Sequence, residues 1–386
     1  MKIVYCADTV YQLGGVEITT VVKANALAEI PGNKVWIVVA NNKKSSLVRL
    51  ERVSLADLAV YYYEEDWKGY WHAIIDNFKK RRLHRKRLMA LLDDIQPDIV
   101  ISVGSLSKFF IPKMKISSNP VFIRELHTEK YYTRRESTTF FRMLIRRIGE
   151  WYDYGWKIRE YDKIVVLTEA DKTGSWTNWD KVVVMPNPKT KEPTQWASGD
   201  AKMAVSVGRL ELLKGFDSLI RIWSKVVRRH PEWTLQIWGD GGEKKHLQEQ
   251  IEQMGLKEHV FLNGYTADVL DEMSRASLSL ISSQSEGFSL VALEAMSVGI
   301  PTVAYNCPGG IRYVVKDGAT GFLVPLNDED AFVEKVCTLI ENDELRKTMG
   351  HTALDVSKQY GVEVIAQRWM ELFQELLDKK QKKQII

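Results

Sequence analysis

Cysteine is scarce in this sequence and long apolar runs are absent. The 386 residues contain three cysteines, Cys6, Cys307 and Cys337, which are too few and too scattered for a disulfide framework or a CxxC metal site. No stretch approaches the roughly 20 apolar residues that a membrane-spanning helix needs, and residues 1–5 lead into a strand pattern rather than a secretory signal. We therefore expect a reducing, cytoplasmic setting without an export signal or a membrane span.

The sequence also lacks the GxGxxG turn of dinucleotide-dependent oxidoreductases. Gly14 and Gly15 follow the first predicted strand and open a helix, but they do not form that fingerprint, which argues against an oxidoreductase. A glycine pair at a helix start can still face phosphate groups. No nucleic-acid recognition motif is present either, and the second half of the chain is acidic, so nucleic acid is not an expected partner.

Short β-branched runs alternate with longer helical patterns along the chain. This alternation predicts an α/β fold with parallel sheets and crossover helices, and the length favours two doubly wound domains. A proline-rich segment, residues 186–193, separates them. We expect a Rossmann-like domain over residues 1–187, a linker over 188–202 and a second Rossmann-like domain over 203–362. The predicted strands are 2–6, 35–39, 98–103, 121–124, 163–167 and 181–185 in the first domain and 203–207, 234–238, 260–262, 278–281, 302–304 and 322–324 in the second.

Two glutamates, Glu286 and Glu294, flank a predicted helix start that follows the strand 278–281. Ligands of open α/β sheets bind outside the carboxyl ends of the strands, where a helix start offers free amides to an anion. We expect Ser289 to cap this helix and a phosphate to bind at Phe288, Ser289 and Leu290. Glu294 can accept hydrogen bonds from two ribose hydroxyls, and Glu286 lies towards the group that the phosphate carries. Two glutamates at this spacing also occur on ordinary helices.

A cationic loop follows the predicted strand 203–207. Arg209 offers a planar fork of donors and Lys214 a point charge, which suits a diphosphate that must be held as it leaves. Two surface cations near a glycine turn would look the same. Glycine turns also follow the next two strands, and they can let the backbone approach a base or a sugar, or simply join strands to helices. Their residues are Gly239, Asp240, Gly241, Asn263 and Gly264.

Two further positions need an interpretation. His127 follows the strand 121–124 and can touch a sugar or carry a proton, although a lone histidine is often structural. Residues 328–330 have the DxD spacing of some metal-dependent transferases. They precede apolar residues at helical spacing, so we interpret them as a helix start and predict no metal and no cofactor.

The whole combination resembles the retaining glycosyltransferases of family four, which have the GT-B fold of two Rossmann-like domains facing across a cleft. The resemblance rests on Gly14-Gly15, Gly208-Arg209, Lys214-Gly215, the EX7E motif from Glu286 to Glu294, and the stretch 317–323. It implies a metal-independent hexosyltransferase that retains the anomeric configuration, with the departing phosphate oxygen taking the acceptor proton. The terminal helix, about residues 363–386, would then pack back on the first domain.

The resemblance also implies roles for individual residues. Arg209 and Lys214 would bind the donor diphosphate, with Gly14 and Gly15 as the glycine loop. Glu294 would bind the ribose, and Glu286 and His127 would act at the donor sugar. The turn at Gly309 and Gly310 would lie near the donor. Members of the family often carry a glutamate after this turn, where this chain has Tyr313, so the identity of the sugar stays open.

The expected substrates are a nucleoside-diphosphate sugar, a UDP-linked hexose or N-acetylhexosamine, and a glycan or lipid-linked glycan acceptor of cell-surface polysaccharide assembly. Peripheral contact with an anionic membrane is a further expectation, because residues 1–195 carry 32 Lys and Arg against 23 Asp and Glu, whereas residues 196–386 carry 22 against 27. Aromatic residues accompany the cations: Trp67, Tyr70, Trp71, Tyr131, Phe140, Phe141, Trp151 and Trp156. The alternative is a helix from about 72 to 95 with its cations in water, and both can hold for one helix. The residues expected to face the core are Ile74, Ile75, Phe78, Leu88, Leu91, Leu92 and Ile95.

Two other functions remain open from the sequence alone. An epimerase or phosphorylase with the same fold would use related substrates, and a non-catalytic sugar-nucleotide-binding subunit would keep the phosphate site. Neither is distinguished from a transferase by the motifs.

Overall fold

A computed structural model describes residues 1–10, 14–40, 50–60, 70–104, 106–127, 140–177 and 179–385, apart from the side chains of 70–77, 140–146 and 383–385. The expected aromatic residues Trp67 and Tyr131 lie outside the described residues, as do the side chains of Tyr70, Trp71, Phe140 and Phe141. The chain divides into two compact units. One comprises Met1–Pro188 together with Val362–Ile386, and the other comprises Lys189–Gly361.

The first unit is built on a seven-stranded sheet in the order β3-β2-β1-β4-β5-β6-β7, with every described strand pair parallel. Its central strands are short runs of Val and Ile that are buried on both faces, as expected where helices cover a parallel sheet. The strands are β1 Lys2–Ala7, β2 Lys34–Val39, β3 Ser54–Asp57, β4 Ile99–Ser102, β5 Val121–Glu125, β6 Lys163–Val166 and β7 Val182–Val184; the helices are α1 Gly15–Glu29, α2 Tyr70–Ile95 and α3 Phe140–Gly155.

The terminal helix α11, Val362–Ile385, belongs to the first unit. Ile365, Trp369 and Phe373 recur every four residues, which puts them on one helical face, and all three are fully buried. They share a core with Val21 and Leu27 of α1. The chain therefore leaves the first sheet at residue 188 and returns to it with its last 25 residues.

The second unit has a six-stranded sheet in the order β10-β9-β8-β11-β12-β13, again with parallel pairs. The strands are β8 Met203–Val207, β9 Thr234–Trp238, β10 Val260–Gly264, β11 Leu278–Ile281, β12 Thr302–Tyr305 and β13 Gly321–Val324. The helices are α4 Phe216–Arg229, α5 Lys244–Gln253, α6 Val269–Ser274, α7 Leu290–Ser297, α8 Ile311–Val314, α9 Glu329–Glu341 and α10 Asp343–Ser357. Two parallel sheets with crossover helices confirm the predicted α/β class.

The sequence prediction was wrong in places. Strand β3 was not predicted, because its sequence Ser-Leu-Ala-Asp contains no β-branched residue. In α2, Leu88, Leu92 and Ile95 are buried as expected, but Phe78 is 65% exposed.

Residues 328–330 lie at the start of a helix, as the sequence predicted. The Asp328 side chain accepts a hydrogen bond of 2.9 Å from the Ala331 amide and so caps α9. Glu329 accepts from Ser218 and from Arg221 of α4. Asp328 thus caps its own helix, and Glu329 joins α9 to α4.

Candidate functional site

The order of the second sheet reverses at β8, which lies between β9 on one side and β11 on the other. Parallel strands direct their carboxyl ends to one edge, and a reversal in strand order opens a crevice there because the adjacent crossovers leave in opposite directions. The two loops that flank this crevice are residues 208–215 after β8 and 282–289 after β11. They contain the predicted diphosphate residues and the first glutamate of the motif.

The two loops are fastened to each other through the backbone. The Gln284 amide donates to the Leu213 carbonyl at 2.8 Å, and the Ser282 hydroxyl donates to the Lys214 carbonyl at 2.9 Å. Gly215 has a left-handed backbone with φ of 64°, and a Cβ atom there would lie 2.4 Å from the Ser282 carbonyl oxygen. Glycine is therefore required for the loops to meet.

Lys214 and Glu286 form an ion pair across the crevice. The ammonium of Lys214 lies 2.8 Å from Oε1 of Glu286, and the Ser283 hydroxyl donates to the same oxygen at 2.6 Å. The two charged side chains keep 24% and 11% of their surface exposed. Because the ion pair is reachable from solvent, an anionic ligand can replace Glu286 as the partner of Lys214.

The backbone around Glu286 is held by the glycine pair after β12. The Glu286 amide donates to the Pro308 carbonyl at 3.1 Å, and the Gly310 amide donates to the Glu286 carbonyl at 2.7 Å. A Cβ atom on Gly309, whose φ is 110°, would lie 1.7 Å from the Glu286 oxygen, and one on Gly310 would lie 2.4 Å from the Gly287 oxygen. Gly309 and Gly310 thus position the loop that carries Glu286.

The helix start after Glu286 differs from the expectation in one respect. Helix α7 begins at Leu290 and Ser289 occupies its N-cap position, but the Ser289 side chain makes no cap hydrogen bond. Its backbone is left-handed, with φ of 65°, whereas a capping serine normally has an extended backbone. The expectation that Ser289 caps the helix was wrong. Its hydroxyl is buried and unpartnered among the described residues, and the strained backbone is of the kind found at ligand sites.

Phe288 contributes an apolar anchor to this turn. Its side chain is buried and packs edge-to-face on Tyr360, with ring centroids 5.9 Å apart. The Tyr360 hydroxyl in turn donates to the Tyr313 carbonyl at 3.3 Å. The anchored ring fixes the backbone that precedes α7, so any contact between residue 288 and an anion would be made by the amide.

Glu294 points towards the segment that joins the two units. The Thr190 hydroxyl donates to Glu294 Oε1 at 2.9 Å. Burial raises the pKa of this carboxyl to about 7, although the hydrogen bond from Thr190 and the charge of Lys191 act in the opposite direction. Sequence reasoning missed Thr190 and Lys191 because they lie in the polar linker, and only the path of the chain brings them to α7.

The glycine turns after β9 and β10 stack on the loop that carries Arg209. A Cβ atom on Gly239 would lie 1.8 Å from the Gly208 oxygen, and one on Gly241 would lie 2.4 Å from the Leu210 oxygen. The Gly239 amide donates to the Gly264 carbonyl at 2.7 Å. These glycines therefore allow three loops to pack at one sheet edge.

Side chains on these loops are exposed. Arg209 keeps 70% of its side chain in solvent and forms a 3.1 Å ion pair with Glu211. An exposed pair of this kind contributes little to stability, so the guanidinium can move to a ligand at small cost. The Asp240 carboxylate accepts a hydrogen bond from the Gly241 amide, and the Asn263 side chain donates one to the Gln236 side chain at 2.9 Å.

His127, Gly14 and Gly15 lie in the first unit. His127 follows β5, and its Nε2 atom lies 3.2 Å from Oε1 of Glu125, the last residue of that strand. Glu125 is buried and forms an ion pair with the buried Lys23 of α1. Burial opposes the charge of Glu125, but Lys23 and His127 lower its pKa to about 2.

Helix α1 begins at Gly15 with Gly14 in the N-cap position. A Cβ atom on Gly14 would lie 2.3 Å from Oε2 of Glu17, so the carboxylate of Glu17 reaches back over this helix start. That is the position at which a helix dipole favours a negative charge. A phosphate at Gly14 and Gly15 would have to displace or accommodate this carboxylate.

This chain is similar to known glycosyltransferases in sequence and in fold. Residues 188–355 match the model of Glycosyl transferases group 1. An uncharacterized glycosyltransferase of Haemophilus influenzae is 29% identical over 372 residues, which cover 95% of this chain and 98% of that protein. A poly(ribitol-phosphate) alpha-N-acetylglucosaminyltransferase of Staphylococcus aureus is 25% identical over 291 residues, which cover 74% of this chain and 57% of that protein.

Solved structures show the same fold. The crystal structure of Anabaena Alr3699/HepE in complex with UDP aligns with 97% of this chain and 100% of its own chain, with a TM-score of 0.76 and 17% sequence identity. The match of residues 188–355 to group 1 glycosyltransferases, the glycosyltransferase relative that spans nearly the whole chain and the shared fold of two parallel sheets make this chain similar to glycosyltransferases of the GT-B type.

Proposed function

We propose that the protein is a metal-independent, retaining glycosyltransferase that moves a hexose or N-acetylhexosamine from a UDP-sugar to a glycan or lipid-linked glycan of a cell-surface polysaccharide. The observation that carries the proposal is the ion pair between Lys214 and Glu286 at the reversal point of the second sheet. In this pair a lysine ammonium lies 2.8 Å from a carboxylate oxygen at the edge where α/β sheets bind ligands, and these are the kinds of group that bind phosphates and sugar hydroxyls.

The donor would bind with its diphosphate between Lys214, Arg209 and the start of α7. There the lysine ammonium, the guanidinium fork and the backbone amides of residues 288–290 supply positive charge. When the diphosphate takes over Lys214, Glu286 is left to accept hydrogen bonds from the donor sugar hydroxyls. Glu294 would accept from the ribose, and the turns at Gly239, Asp240, Gly241, Asn263 and Gly264 would lie beside the base.

The chemistry proposed for this site breaks the bond between the anomeric carbon and the donor phosphate oxygen and forms the new bond on the same face of the sugar. The acceptor hydroxyl loses its proton to the departing phosphate oxygen, so the protein needs no covalent nucleophile. Lys214, Arg209 and the helix start stabilise the negative charge that develops on the diphosphate. His127 and Glu286 would orient the sugar during this step.

The names of the relatives support this choice of substrates. The HepE structure contains UDP, and the Staphylococcus aureus relative transfers N-acetylglucosamine with alpha stereochemistry to poly(ribitol-phosphate). The alpha linkage agrees with retention from an alpha-linked donor. An anionic polymer acceptor also suits the basic excess of the first half of this chain.

We further propose that the enzyme works in the cytoplasm on the inner face of the membrane. Among the described residues, no helix has the length and apolarity that a bilayer crossing requires. Ile148, Trp151 and Tyr152 on one face of α3, with Trp156 just beyond it, are exposed apolar side chains, and Arg147 is exposed beside them. Aromatic rings flanked by cations suit the interfacial region of an anionic bilayer.

The membrane proposal has a direct test with vesicles. At low salt, most of the protein should sediment with phosphatidylserine-containing vesicles, whereas much less protein should sediment with pure phosphatidylcholine vesicles. The double variant Trp151→Ala/Trp156→Ala should lose this binding without a change in melting temperature. Equal sedimentation of wild type and variant would contradict a role for this face of α3.

The donor proposal is tested by ligand stabilisation. A ligand that binds only the native state raises the melting temperature, so a panel of nucleotide sugars should include at least one UDP-sugar that stabilises the protein. Incubating that donor with candidate acceptors then separates the possible reactions. Formation of a new glycosidic bond supports the transferase, a changed sugar on UDP would indicate an epimerase, and binding without any product would indicate a non-catalytic subunit.

A further inference from the structure

A buried chain of charges ends at His127. It starts at Lys23 of α1, passes through Glu125 at the carboxyl end of β5 and reaches the ring nitrogen Nε2 of His127 at 3.2 Å. The side chains of Lys23, Glu125 and His127 keep only 2%, 1% and 6% of their surface exposed. Charged groups are seldom buried this deeply unless they are paired, because water solvates a charge far better than the protein interior does.

Lys23, Tyr5 and His127 all interact with the charge of Glu125. Lys23 forms the ion pair, and the ammonium of Lys23 lies 5.6 Å from the ring centroid of Trp369 on α11, which closes the other side of the cation. The Tyr5 hydroxyl of β1 is buried and raised in pKa by burial and by the charge of Glu125. Glu125 itself stays ionised, because its pKa is lowered to about 2 despite its burial.

Stability alone does not account for this arrangement. A buried ion pair costs desolvation of both ions, and well-packed apolar side chains of similar volume are often as stable or more stable. Its position gives a different reason, since β5 delivers Glu125 to the edge of the sheet two residues before His127. Strongly perturbed ionisable groups at such an edge are typical of functional sites.

We propose that Glu125, held by Lys23, is the positioning residue for His127. The nitrogen nearer an ionised carboxylate keeps its proton, so Nε2 becomes the N–H donor and Nδ1 becomes the acceptor. Because Lys23 pairs with Glu125, the two side chains orient the ring with little net charge beside it. Nδ1 is then available to accept a hydrogen bond from a hydroxyl of the sugar substrate.

The present geometry leaves one adjustment to substrate binding. Nε2 lies at ion-pair distance from Oε1 but does not form a well-directed hydrogen bond, and Oε2 of Glu125 has no hydrogen-bond partner among the described residues. Catalytic hydrogen bonds are often poorly aligned before substrate binds and tighten in the complex. A small rotation of the imidazole suffices to direct its N–H at the carboxylate.

The inference rests on the proposed role of His127 in transfer, so the test needs a measurement that does not depend on activity. Nitrogen-15 NMR of the histidine side chains reports the tautomer directly, and His127→Ala assigns the signal among the seven histidines. In the wild type, His127 should carry its proton on Nε2. In the double variant Lys23→Met/Glu125→Leu, which replaces the ion pair by apolar side chains, this preference should be lost. A wild-type His127 protonated on Nδ1 would overturn the inference even if the protein showed no transfer.

Kinetics provide the second half of the test. The double variant should fold, as judged by its melting temperature, and its kcat should fall roughly 10-fold or more, a usual effect of removing a group that orients a functional histidine, with KM for the donor little changed. In a His127→Ala background, adding Lys23→Met/Glu125→Leu should cost nothing further, because Glu125 acts only through His127. Multiplying losses would show a separate structural role and overturn the inference. A wild-type level of transfer in His127→Ala alone would overturn the role of His127 and, with it, the purpose assigned to Glu125.

Discussion

The raised pKa of Glu294 predicts an unusual dependence of stability on pH. Burial raises this pKa from 4.5 to about 7, so the native state holds a proton between those values that the unfolded chain has released. The free energy of unfolding therefore falls as pH rises from about 4.5 to about 7, and it is flat above that range as far as this group is concerned. At roughly 1.4 kcal/mol per pKa unit, the loss is on the order of 3 kcal/mol.

Glu294→Gln removes the titration but keeps the shape of the side chain and an acceptor for the Thr190 hydroxyl. The variant should match the wild type near pH 4.5 and should be more stable than it at pH 8, by on the order of 3 kcal/mol. Urea unfolding at several pH values measures the difference directly. Glu258→Gln, which changes an exposed glutamate of the same unit, serves as the matched control and should follow the wild type.

The proposed contact between Glu294 and the ribose predicts that nucleotide binding is coupled to proton release. An ionised carboxylate can accept a hydrogen bond from a ribose hydroxyl at each of its two oxygens, whereas a protonated carboxyl accepts fewer. UDP should therefore bind more tightly at pH 8 than at pH 6, and its binding near pH 7 should release a proton. Calorimetry in buffers of different ionisation enthalpy detects that proton. Identical pH dependence of stability and of UDP affinity in the wild type and Glu294→Gln would refute the reasoning.

Three further predictions concern the neighbouring loops. Lys214→Met should raise the Kd for UDP about 10-fold, which is the usual effect of losing one charge-assisted hydrogen bond. Lys245→Met changes a lysine that is 91% exposed and should leave the Kd unchanged. No change in calorimetry for Lys214→Met would contradict the diphosphate assignment. Glu286→Gln should lower the transfer rate at least roughly 100-fold while UDP affinity changes less than about threefold, because the carboxylate serves the sugar and not the diphosphate. Gly309→Ala should destabilise the protein by more than about 2 kcal/mol in thermal melts, because the added Cβ atom would lie 1.7 Å from the Glu286 oxygen. Gly242→Ala is the control and should be neutral, because a Cβ atom at residue 242 meets open space.

The sequence predicted most of the fold because its strands are of the kind that sequence patterns describe well. Runs such as Ile99–Ser102 and Leu278–Ile281 each consist of three apolar residues and one serine, and both are fully buried central strands. Strand β3, Ser54–Asp57, could not be found in this way, since an edge strand with two exposed ends needs no apolar run. Phe78 shows the converse, because it lies only about 40° around the helix axis from the buried Leu92 and is nevertheless exposed, so helical spacing alone does not decide burial.

The site was predicted less completely, for a different reason. The strand-loop-helix pattern placed Glu286 and Lys214 at one sheet edge, which follows from parallel topology. The left-handed Ser289 and the contact between Thr190 and Glu294 depend on how loops distant in sequence meet, and no local pattern encodes that. The pairing of Lys23 with Glu125 spans 102 residues and likewise required the register of the first sheet.

The stereochemistry of the product tests the central claim most directly. A UDP-sugar that stabilises the protein should be incubated with its acceptor and followed by proton NMR from the first turnover. An alpha-linked donor should give an alpha-linked product, and Glu286→Gln should form it far more slowly although it still binds UDP. A product with inverted anomeric configuration, or undiminished transfer by Glu286→Gln, would contradict the account of this site.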